Sequence, residues 1–270
     1  MSLQAFDEIA ESYDGSFTDT MIGRELRQII WRNLQGIFQP GAHVLELNCG
    51  TGEDAVWLAG RKVRVLATDG SSAMLETAGR KAVLHGMSDK IEFLQLDLAS
   101  PFAGWPDFKF DGALSNFGGL NCVSDLGPLA GMLAQRIRPG GHLIMVLMGR
   151  WCFWEILWYM LRLQPQVAFR RRLQGGRAAR IGNGSIGVWY PSVGTLRRIF
   201  SPQFRLRRLL GLGVFLPPSY LQEAITRRRH LHHLLRRLET LTAATWIFGR
   251  FGDHILFDFE RTTVVPRDHR

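Results

Sequence analysis

The 270-residue sequence has little cysteine and no long apolar run, and each scarcity excludes a class of protein. Its three cysteines, Cys49, Cys122 and Cys152, are odd in number and lie in unrelated contexts, which disfavours a disulfide-framed secreted domain. The most apolar segment, Trp151–Leu161, contains Glu155 and is far shorter than the roughly 20 residues that span a bilayer. The N-terminus has neither a basic region nor an apolar run, so no secretory signal is predicted. We therefore expect a cytoplasmic protein.

Lysine is also scarce, and the basic residues are unevenly distributed. The chain has 33 Lys+Arg and 24 Asp+Glu; residues 1–150 hold 13 and 17 of these, so residues 151–270 hold 20 and 7. All four lysines lie in the first part, so every basic residue of the second part is an arginine. A GC-rich genome accounts for an arginine excess but not for its clustering. The basic second part is compatible with an anionic membrane, with an anionic substrate or with no partner at all, and the sequence does not choose among these.

The stretch His43–Asp54 predicts a buried strand, a glycine loop and the start of a helix. Glu46 lies near the end of that strand, and Asp69, 69 − 46 = 23 positions later, ends a second apolar segment. A glycine loop that opens a helix lets a ligand approach the backbone, and an acid about 20 residues later can bind ribose hydroxyls. The pattern therefore indicates a nucleoside-containing cofactor.

Two features of this loop disfavour a dinucleotide. Residues 48–52 read NCGTG, which does not fit G-x-G-x-x-G, and Glu53 and Asp54 stand at the helix N-terminus, where they would repel a pyrophosphate. S-adenosylmethionine carries an ammonium and a sulfonium but no phosphate, so acids are compatible with it. We predict an adenosyl cofactor, with an NAD-dependent oxidoreductase as a rival.

This loop resembles motif I of the class I S-adenosylmethionine-dependent methyltransferases, with Asn48 where the family more often has glycine. Thr68–Leu75 resembles the family's second motif, whose acid binds both ribose hydroxyls, and Asp97 would meet the adenine amino group. The product of such a reaction is S-adenosylhomocysteine, and no metal is expected. The resemblance implies these cofactor-binding residues: Tyr13, Glu46, Asn48, Gly50, Gly52, Asp69, Gly70, Met74, Asp97, Leu98, Ser115 and Asn116.

The same resemblance continues along the chain in the family's order. It implies an α/β fold, a doubly wound, Rossmann-like seven-stranded sheet whose last strand is antiparallel, with helical substrate-cap insertions. The N-terminal segment is similar to that of the ubiquinone- and menaquinone-biosynthesis type, whose tyrosine, here Tyr13, closes over the cofactor. The matching segments are Phe6–Asp14, Ile91–Asp97, Phe110–Gly119, Arg138–Leu147, Phe204–Gly211 and Gly252–Glu260.

Each piece also has a plainer explanation. Gly50 and Gly52 could serve a strand-to-helix turn of any α/β protein. Asp69 could cap the following helix, Asp97 could be a surface acid, and Tyr13 could be a packing residue. Their occurrence together and in order favours the cofactor site.

One structural domain with three parts is expected. Residues 1–150 hold the N-terminal helices and the cofactor-binding core, 151–190 form a cap insertion, and 191–270 complete the sheet around a second helical insertion at about 217–252. In the first insertion, helical spacing of the tryptophans predicts a helix, followed by a mobile loop over Gly175–Gly187.

The second insertion predicts a basic amphipathic helix. Its leucines form one stripe and its arginines the remainder. Such a helix can bind an anionic membrane, cap a pocket for an acidic or lipid-like substrate, or simply pack with its arginines in solvent. A metal site at His230 and His233 is disfavoured because no carboxylate or cysteine accompanies them. The residues concerned are Leu231, Leu234, Leu235 and Leu238, and Arg227, Arg228, Arg229, His232, Arg236 and Arg237.

We predict methyl transfer to a small, hydrophobic molecule with an optional anionic group, such as a quinone precursor, lipid or secondary metabolite. In-line positioning of the acceptor is the main task, and Tyr13 and Phe17 are candidates to face the sulfonium. Tyr190, His230, His232 and His233 are open candidates for a base. A nucleic-acid substrate is disfavoured, since residues 115–119 read SNFGG and no RNA-binding module is evident. A cofactor-binding protein without activity remains an alternative; the acceptor and oligomeric state stay open.

Overall fold

A computed structural model describes residues 4–98, 104–105, 107–172, 175–218, 229–242 and 248–263. Its centre is a seven-stranded sheet in the order β3-β2-β1-β4-β5-β9-β8. The first five strands run parallel, whereas β9 is antiparallel to both β5 and β8. The strands are β1 His43–Leu47, β2 Arg64–Asp69, β3 Ile91–Gln95, β4 Phe110–Ser115, β5 Ile137–Met148, β8 Phe204–Leu212 and β9 His254–Arg261.

Apolar runs form the central strands because helices cover the parallel part of the sheet on both faces. One buried layer packs α2, α3 and α4 against the sheet, and the other packs α5 and α8 against its opposite face. The helices of the framework are α1 Gln4–Asp7, α2 Met21–Gln35, α3 Glu53–Gly60, α4 Ser72–Leu84, α5 Gly127–Arg136 and α8 Val193–Phe200. The predicted doubly wound sheet with an antiparallel last strand is therefore confirmed.

The expected N-terminal helices are only partly formed before α2. Helix α1 ends at Asp7, and a π-helical turn spans Asp14–Thr18. The Asp7 carboxylate instead accepts hydrogen bonds from Ser71 Oγ at 2.5 Å and Ala73 N at 3.3 Å, at the start of α4. Contacts with the core thus decide the path of this segment.

The first insertion contains α6 Phe153–Leu161 and α7 Pro165–Ala168, followed by a two-stranded hairpin, β6 Arg177–Ile181 and β7 Gly184–Val188. The hairpin replaces the mobile loop expected over most of 175–187. Gly182, with a φ of +53°, occupies the first place of the two-residue turn, where glycine is typical of a type II′ turn.

Part of the second insertion lies outside the described residues, including Arg227 and Arg228. Its helix, α9 Arg229–Thr242, buries Leu235 and leaves Leu234 54% exposed, so the four leucines do not form one buried stripe. The buried Glu239 carboxylate accepts the backbone N–H groups of Gly213 and Phe215, each at 2.7 Å. Helix α9 is therefore anchored by a polar contact, and Arg236 and Arg237 remain exposed.

No helix in the described ranges combines the length and the apolar character that crossing a membrane would need.

Candidate active site

A cavity of about 580 Å³ opens at the carboxyl ends of β1, β2 and β4, where parallel α/β sheets bind their ligands. The loops after these strands form its floor, the N-terminal segment covers it, and the β6–β7 hairpin closes one side. Nine of the predicted cofactor residues line it: Tyr13, Asn48, Gly50, Asp69, Gly70, Met74, Asp97, Leu98 and Asn116.

The asparagine that departs from the family's motif I adopts a glycine-like backbone. Asn48 has a φ of +49°, in the left-handed region that asparagine tolerates better than most residues. Its Oδ1 accepts the Ser115 hydroxyl at 2.7 Å, and its Nδ2 donates to the Asn116 carbonyl at 3.2 Å. A Cβ at position 119 would lie 2.1 Å from the Asn48 side-chain amide, so Gly119 leaves the space that the Asn48 side chain occupies.

Asp69 ends β2 with its carboxylate directed at the glycine loop. It accepts the backbone N–H of Gly50 at 2.9 Å and of Ser71 at 3.0 Å. Burial raises the pKa of Asp69, although these hydrogen bonds oppose the shift. The N-cap of α4 is Ser71, whose Oγ accepts Met74 N at 3.1 Å, so capping does not account for the acid.

Asp54, in the first turn of α3, is the centre of a buried polar cluster. Its carboxylate accepts Arg27 Nη1 at 2.5 Å, Trp31 Nε1 at 2.7 Å and Asn116 Nδ2 at 2.8 Å. Arg27 also lines the cavity, and its buried Nε has no hydrogen-bond partner among the described residues. An unpaired buried donor facing a cavity favours an anionic or carbonyl ligand group there.

The second acid of that turn, Glu53, is paired with Lys81 at 2.9 Å. Lys81 also binds Asp14 at 2.7 Å, and Thr51 Oγ1 donates to Asp14 at 2.6 Å. Both acids at the start of α3 thus have cationic partners, which weakens the expected repulsion of a pyrophosphate. The same contacts fasten the N-terminal cover to the core.

Aromatic side chains lie next to the polar cluster around Asp54. Phe117 has a φ of +47°, a conformation that costs a bulky residue about 1–2 kcal/mol, and it lines the cavity. Its ring packs edge-on against Phe17 with centroids 4.7 Å apart, and the Arg27 guanidinium lies 4.7 Å from it. Burial raises the pKa of the neighbouring Tyr13, which keeps this phenol neutral. Backbone strain such as that of Phe117 is typical of functional sites.

The end of the cavity at the β6–β7 hairpin is largely apolar. Ile181, Ile186 and Val188 of the hairpin contribute to it, together with Met148 at the end of β5. Buried Asn121 joins these elements: it accepts Met148 N at 2.8 Å and donates to the Trp189 carbonyl at 2.6 Å. Arg180 lines the cavity from an exposed position on the hairpin.

Three predicted cofactor residues do not line the cavity. Ser115 orients Asn48 through the hydrogen bond described above. Gly52 is the N-cap of α3, where a Cβ would meet that of Ala78 at 2.7 Å, so it serves helix packing. Glu46 is buried, its Oε2 has no partner within the described structure, and burial raises its pKa well above the usual range.

The candidate bases are also elsewhere. His232 is paired with Glu25 on α2 at 3.1 Å, and His230 and His233 lie on α9; none of them lines the cavity. Tyr190 packs behind the hairpin wall, against residues such as Val188.

Sequence reasoning missed Arg27, Trp31 and the hairpin, although Arg27 and the hairpin each left a signal. Arg27 lies on the apolar face of α2, between Leu26 and Ile30, where a charged residue implies a buried partner. The dipeptide Gly182-Asn183 separates two short segments of strand character, which is a hairpin pattern.

Comparison with known proteins agrees with this geometry. Residues 44–141 match the model of the family described as "Methyltransferase domain". A demethylmenaquinone methyltransferase of Leptospira interrogans is 25% identical over 172 residues, covering 61% of this chain and 68% of that protein. Residues 44–141 thus carry a methyltransferase domain, and these similarities support an S-adenosylmethionine-dependent methyltransferase.

Two further known proteins are similar to this chain. A tRNA 5-carboxymethoxyuridine methyltransferase of Escherichia coli is 28% identical over 145 residues, covering 51% of this chain and 54% of that protein. A solved S-adenosylmethionine-dependent methyltransferase of Mesorhizobium loti matches with a TM-score of 0.54 at 22% identity, covering 86% of this chain and 97% of that one. The last similarity supports the fold.

The residues present suit the cofactor of this methyltransferase class. The carboxylates of Glu53, Asp54, Asp69 and Asp97 line the cavity, and carboxylates are suited to an ammonium group and to ribose hydroxyls. Arg27 lines the same cavity, and a guanidinium is suited to the cofactor's carboxylate.

Proposed function

We propose that the methyltransferase acts on a small, largely apolar acceptor that carries an anionic group. The observation that supports this most directly is the division of the cavity into a polar end at Asp54 and Asp69 and an apolar end at the β6–β7 hairpin. The cofactor requires the polar end, because its charges and hydroxyls need paired partners. The apolar end is then left for the acceptor.

In this proposal the predicted cofactor residues have distinct tasks. Asp69 binds the ribose hydroxyls, and Asp97 with Leu98 borders the adenine. Asn48 and Asn116 hold the loops at the methyl donor, and Tyr13 covers it. The cofactor supplies an activated methyl group when bound. The chain's own contribution is to align the acceptor and exclude water.

The position of Arg180 supports the proposal that the acceptor carries an anionic group. It lines the apolar end, and no ion pair to it is found in the described residues, whereas Arg27 is occupied by Asp54. A guanidinium at the rim of an apolar cavity binds a carboxylate or phosphate while the rest of the ligand enters. The demethylmenaquinone methyltransferase similarity also favours an apolar acceptor.

No general base is assigned. The acidic side chains that line the cavity are Glu53, Asp54, Asp69 and Asp97 at its polar end, and burial raises the pKa of the Cys122 thiol to about 11. A hydroxyl or carbon acceptor that is acidic in itself therefore fits this cavity better than a weakly acidic alcohol.

Two alternatives come from other classes. The tRNA methyltransferase similarity and the basic second half favour an RNA substrate. The absence of an assigned base favours a protein that binds the cofactor without transferring its methyl group. Peripheral association with an anionic membrane remains part of our proposal and is developed below.

Calorimetric titration with S-adenosylmethionine, S-adenosylhomocysteine and NAD is the first experiment. We expect micromolar affinity for the two adenosyl compounds and none for NAD. NAD binding alone would overturn the cofactor assignment. Binding of the adenosyl compounds without turnover on quinols, phenols, fatty acids or tRNA would favour the inactive alternative.

Arg177→Gln and Arg180→Gln form a matched pair for the acceptor. Both residues lie on β6 and are exposed, but only Arg180 lines the cavity. With an anionic acceptor, Arg180→Gln should raise KM about tenfold and leave kcat nearly unchanged, because a uniform binding contact is lost. Equal effects of the two variants would argue against a specific anion contact.

A further inference from the structure

Helix α6 buries its acid and exposes apolar side chains, which is the reverse of an ordinary surface helix. The side chain that it buries is its one acid, Glu155, which is 1% exposed. Phe153, Leu157, Met160 and Leu161 are 45%, 39%, 45% and 74% exposed. Their spacing of four, three and one residues places them on one side of the helix. Water therefore meets a continuous apolar face.

Buried ion pairs fix this orientation. The Glu155 carboxylate lies 2.6 Å from Arg170 Nε and 2.5 Å from Arg171 Nη2. Arg171 also binds Asp253 at 2.8 Å, which joins the insertion to the start of β9. Rotating α6 to hide its leucines would separate this acid from its cations, which opposes the burial of the leucines.

The segment that carries the apolar face also exposes arginines. Arg162 stacks on Trp158 at 4.2 Å and Arg172 on Trp151 at 4.3 Å, and both are exposed. In residues 149–172 Glu155 is the single acid, and it is buried. The exposed charge that residues 149–172 contribute to this surface is therefore entirely positive.

We propose that the α6 face, defined as Phe153, Leu157, Met160 and Leu161 with Arg162 and Arg172, docks onto an anionic phospholipid surface. Apolar side chains of this kind enter the headgroup boundary, and arginines beside them bind lipid phosphates. Stacked arginines and tryptophans suit that boundary because both are amphipathic.

A second copy of the chain is a poorer occupant for the same face. In a two-fold interface the same patch meets itself, so the arginines of one copy would face those of the other. Like charges at an interface oppose association, whereas lipid phosphates complement them.

The location also suits the proposed function, on which this one step rests. Helix α6 begins five positions after Met148, which lines the apolar end of the cavity. Docking through α6 would bring that end near the membrane, where a lipid-like acceptor resides. Helix α9, for which membrane binding was one of three sequence-based options, has Leu234 and Leu241 exposed but buries Leu235 and Glu239.

Vesicle sedimentation tests the docking directly. The full chain is mixed with vesicles of equimolar phosphatidylglycerol and phosphatidylcholine, and with vesicles of phosphatidylcholine alone. We expect sedimentation with the anionic vesicles and weaker sedimentation with the neutral ones. Leu157→Ser combined with Leu161→Ser should lower the partition coefficient about tenfold or more, since two apolar contacts are lost.

Val83→Ser combined with Leu84→Ser is the matched control, because these residues of α4 are 70% and 82% exposed. The control should sediment like the unmodified chain. Equal losses in both double variants, or no binding of the unmodified chain to anionic vesicles, would overturn the proposal. So would a dimer in sedimentation velocity that only the α6 variant dissociates.

Titration with S-adenosylhomocysteine separates this failure from that of the proposed function. Retained affinity in the α6 variant shows an intact fold, so its loss of vesicle binding is a surface effect. Vesicle binding without any cofactor affinity would support the docking face and contradict the cofactor assignment on which the proposed function rests.

Discussion

The Asp69 carboxylate accepts the backbone N–H of Gly50 at 2.9 Å, so one side chain at the end of β2 shapes the glycine loop that follows β1. The acid that we propose for the ribose therefore also positions the backbone beside it. Cofactor affinity and loop geometry are coupled at this position.

Replacing Asp69 with alanine should weaken S-adenosylmethionine binding about tenfold or more, because a charge-assisted contact and the loop's hydrogen bond are lost together. Calorimetry measures the dissociation constant. Glu76→Ala, at an exposed position on α4, is the control and should bind normally. Unchanged affinity in the Asp69 variant would remove the proposed ribose contact.

Gly52→Ala should destabilise the fold more than Gly41→Ala does. Both glycines have positive φ, +78° and +88°, so both substitutions incur backbone strain of about 1–2 kcal/mol. Only at Gly52 would the new Cβ also meet Ala78, at 2.7 Å, which adds about 1–3 kcal/mol of overpacking. Urea unfolding measures both free energies. Equal losses of unfolding free energy would mean that α4 moves to accommodate the new Cβ without a measurable cost.

Lys81→Met should speed release of S-adenosylhomocysteine several-fold. The lysine holds Asp14 of the N-terminal cover and Glu53 of α3, and losing one member of a partly buried pair acts mainly on dissociation rates. Stopped-flow fluorescence measures the release rate. Lys90→Met, at a lysine whose neighbouring Asp89 is 3.8 Å away, serves as the reference. A release rate like that of the reference would mean that Lys81 does not control the opening of the N-terminal cover.

His142→Gln should reduce stability more at mildly acidic than at alkaline pH. His142 Nδ1 lies 2.6 Å from Asp258 Oδ1 across β5 and β9, and this hydrogen bond raises the pKa of the histidine. A raised folded pKa gives stability that is complete below the unfolded value of about 6.5 and is lost as pH rises through the folded value. Urea unfolding across this range should show the two proteins converging at high pH; parallel curves would contradict it.

Much of the framework was predictable because its signals are local. Strands β1 and β2 are apolar runs that end in or near an acid, and the glycines between β1 and α3 announce a tight turn. The placement of Asp69 and Asp97 at one edge of the sheet then follows from parallel strands, whose carboxyl ends meet there.

The remaining features depend on distant partners. The burial of Arg27 requires Asp54, which lies 27 positions away, and the orientation of α6 requires Arg170, Arg171 and Asp253. Apolar spacing alone places the leucines of α6 inside, because it carries no information about where an acid finds its cations. The hairpin is hard to predict for another reason: its glycines are as typical of a mobile loop as of a tight turn.

The β6–β7 hairpin pairs only with itself among the described strands. It reaches the framework mainly through side-chain contacts and the Asn121 hydrogen bonds, so its length and composition can change without shifting the register of any strand in the main sheet. Descendants of one ancestor could thus exchange this wall and acquire new acceptors while the methyl-donor half stayed as it was. For protein engineering, the hairpin is a replaceable part with its attachment points already defined.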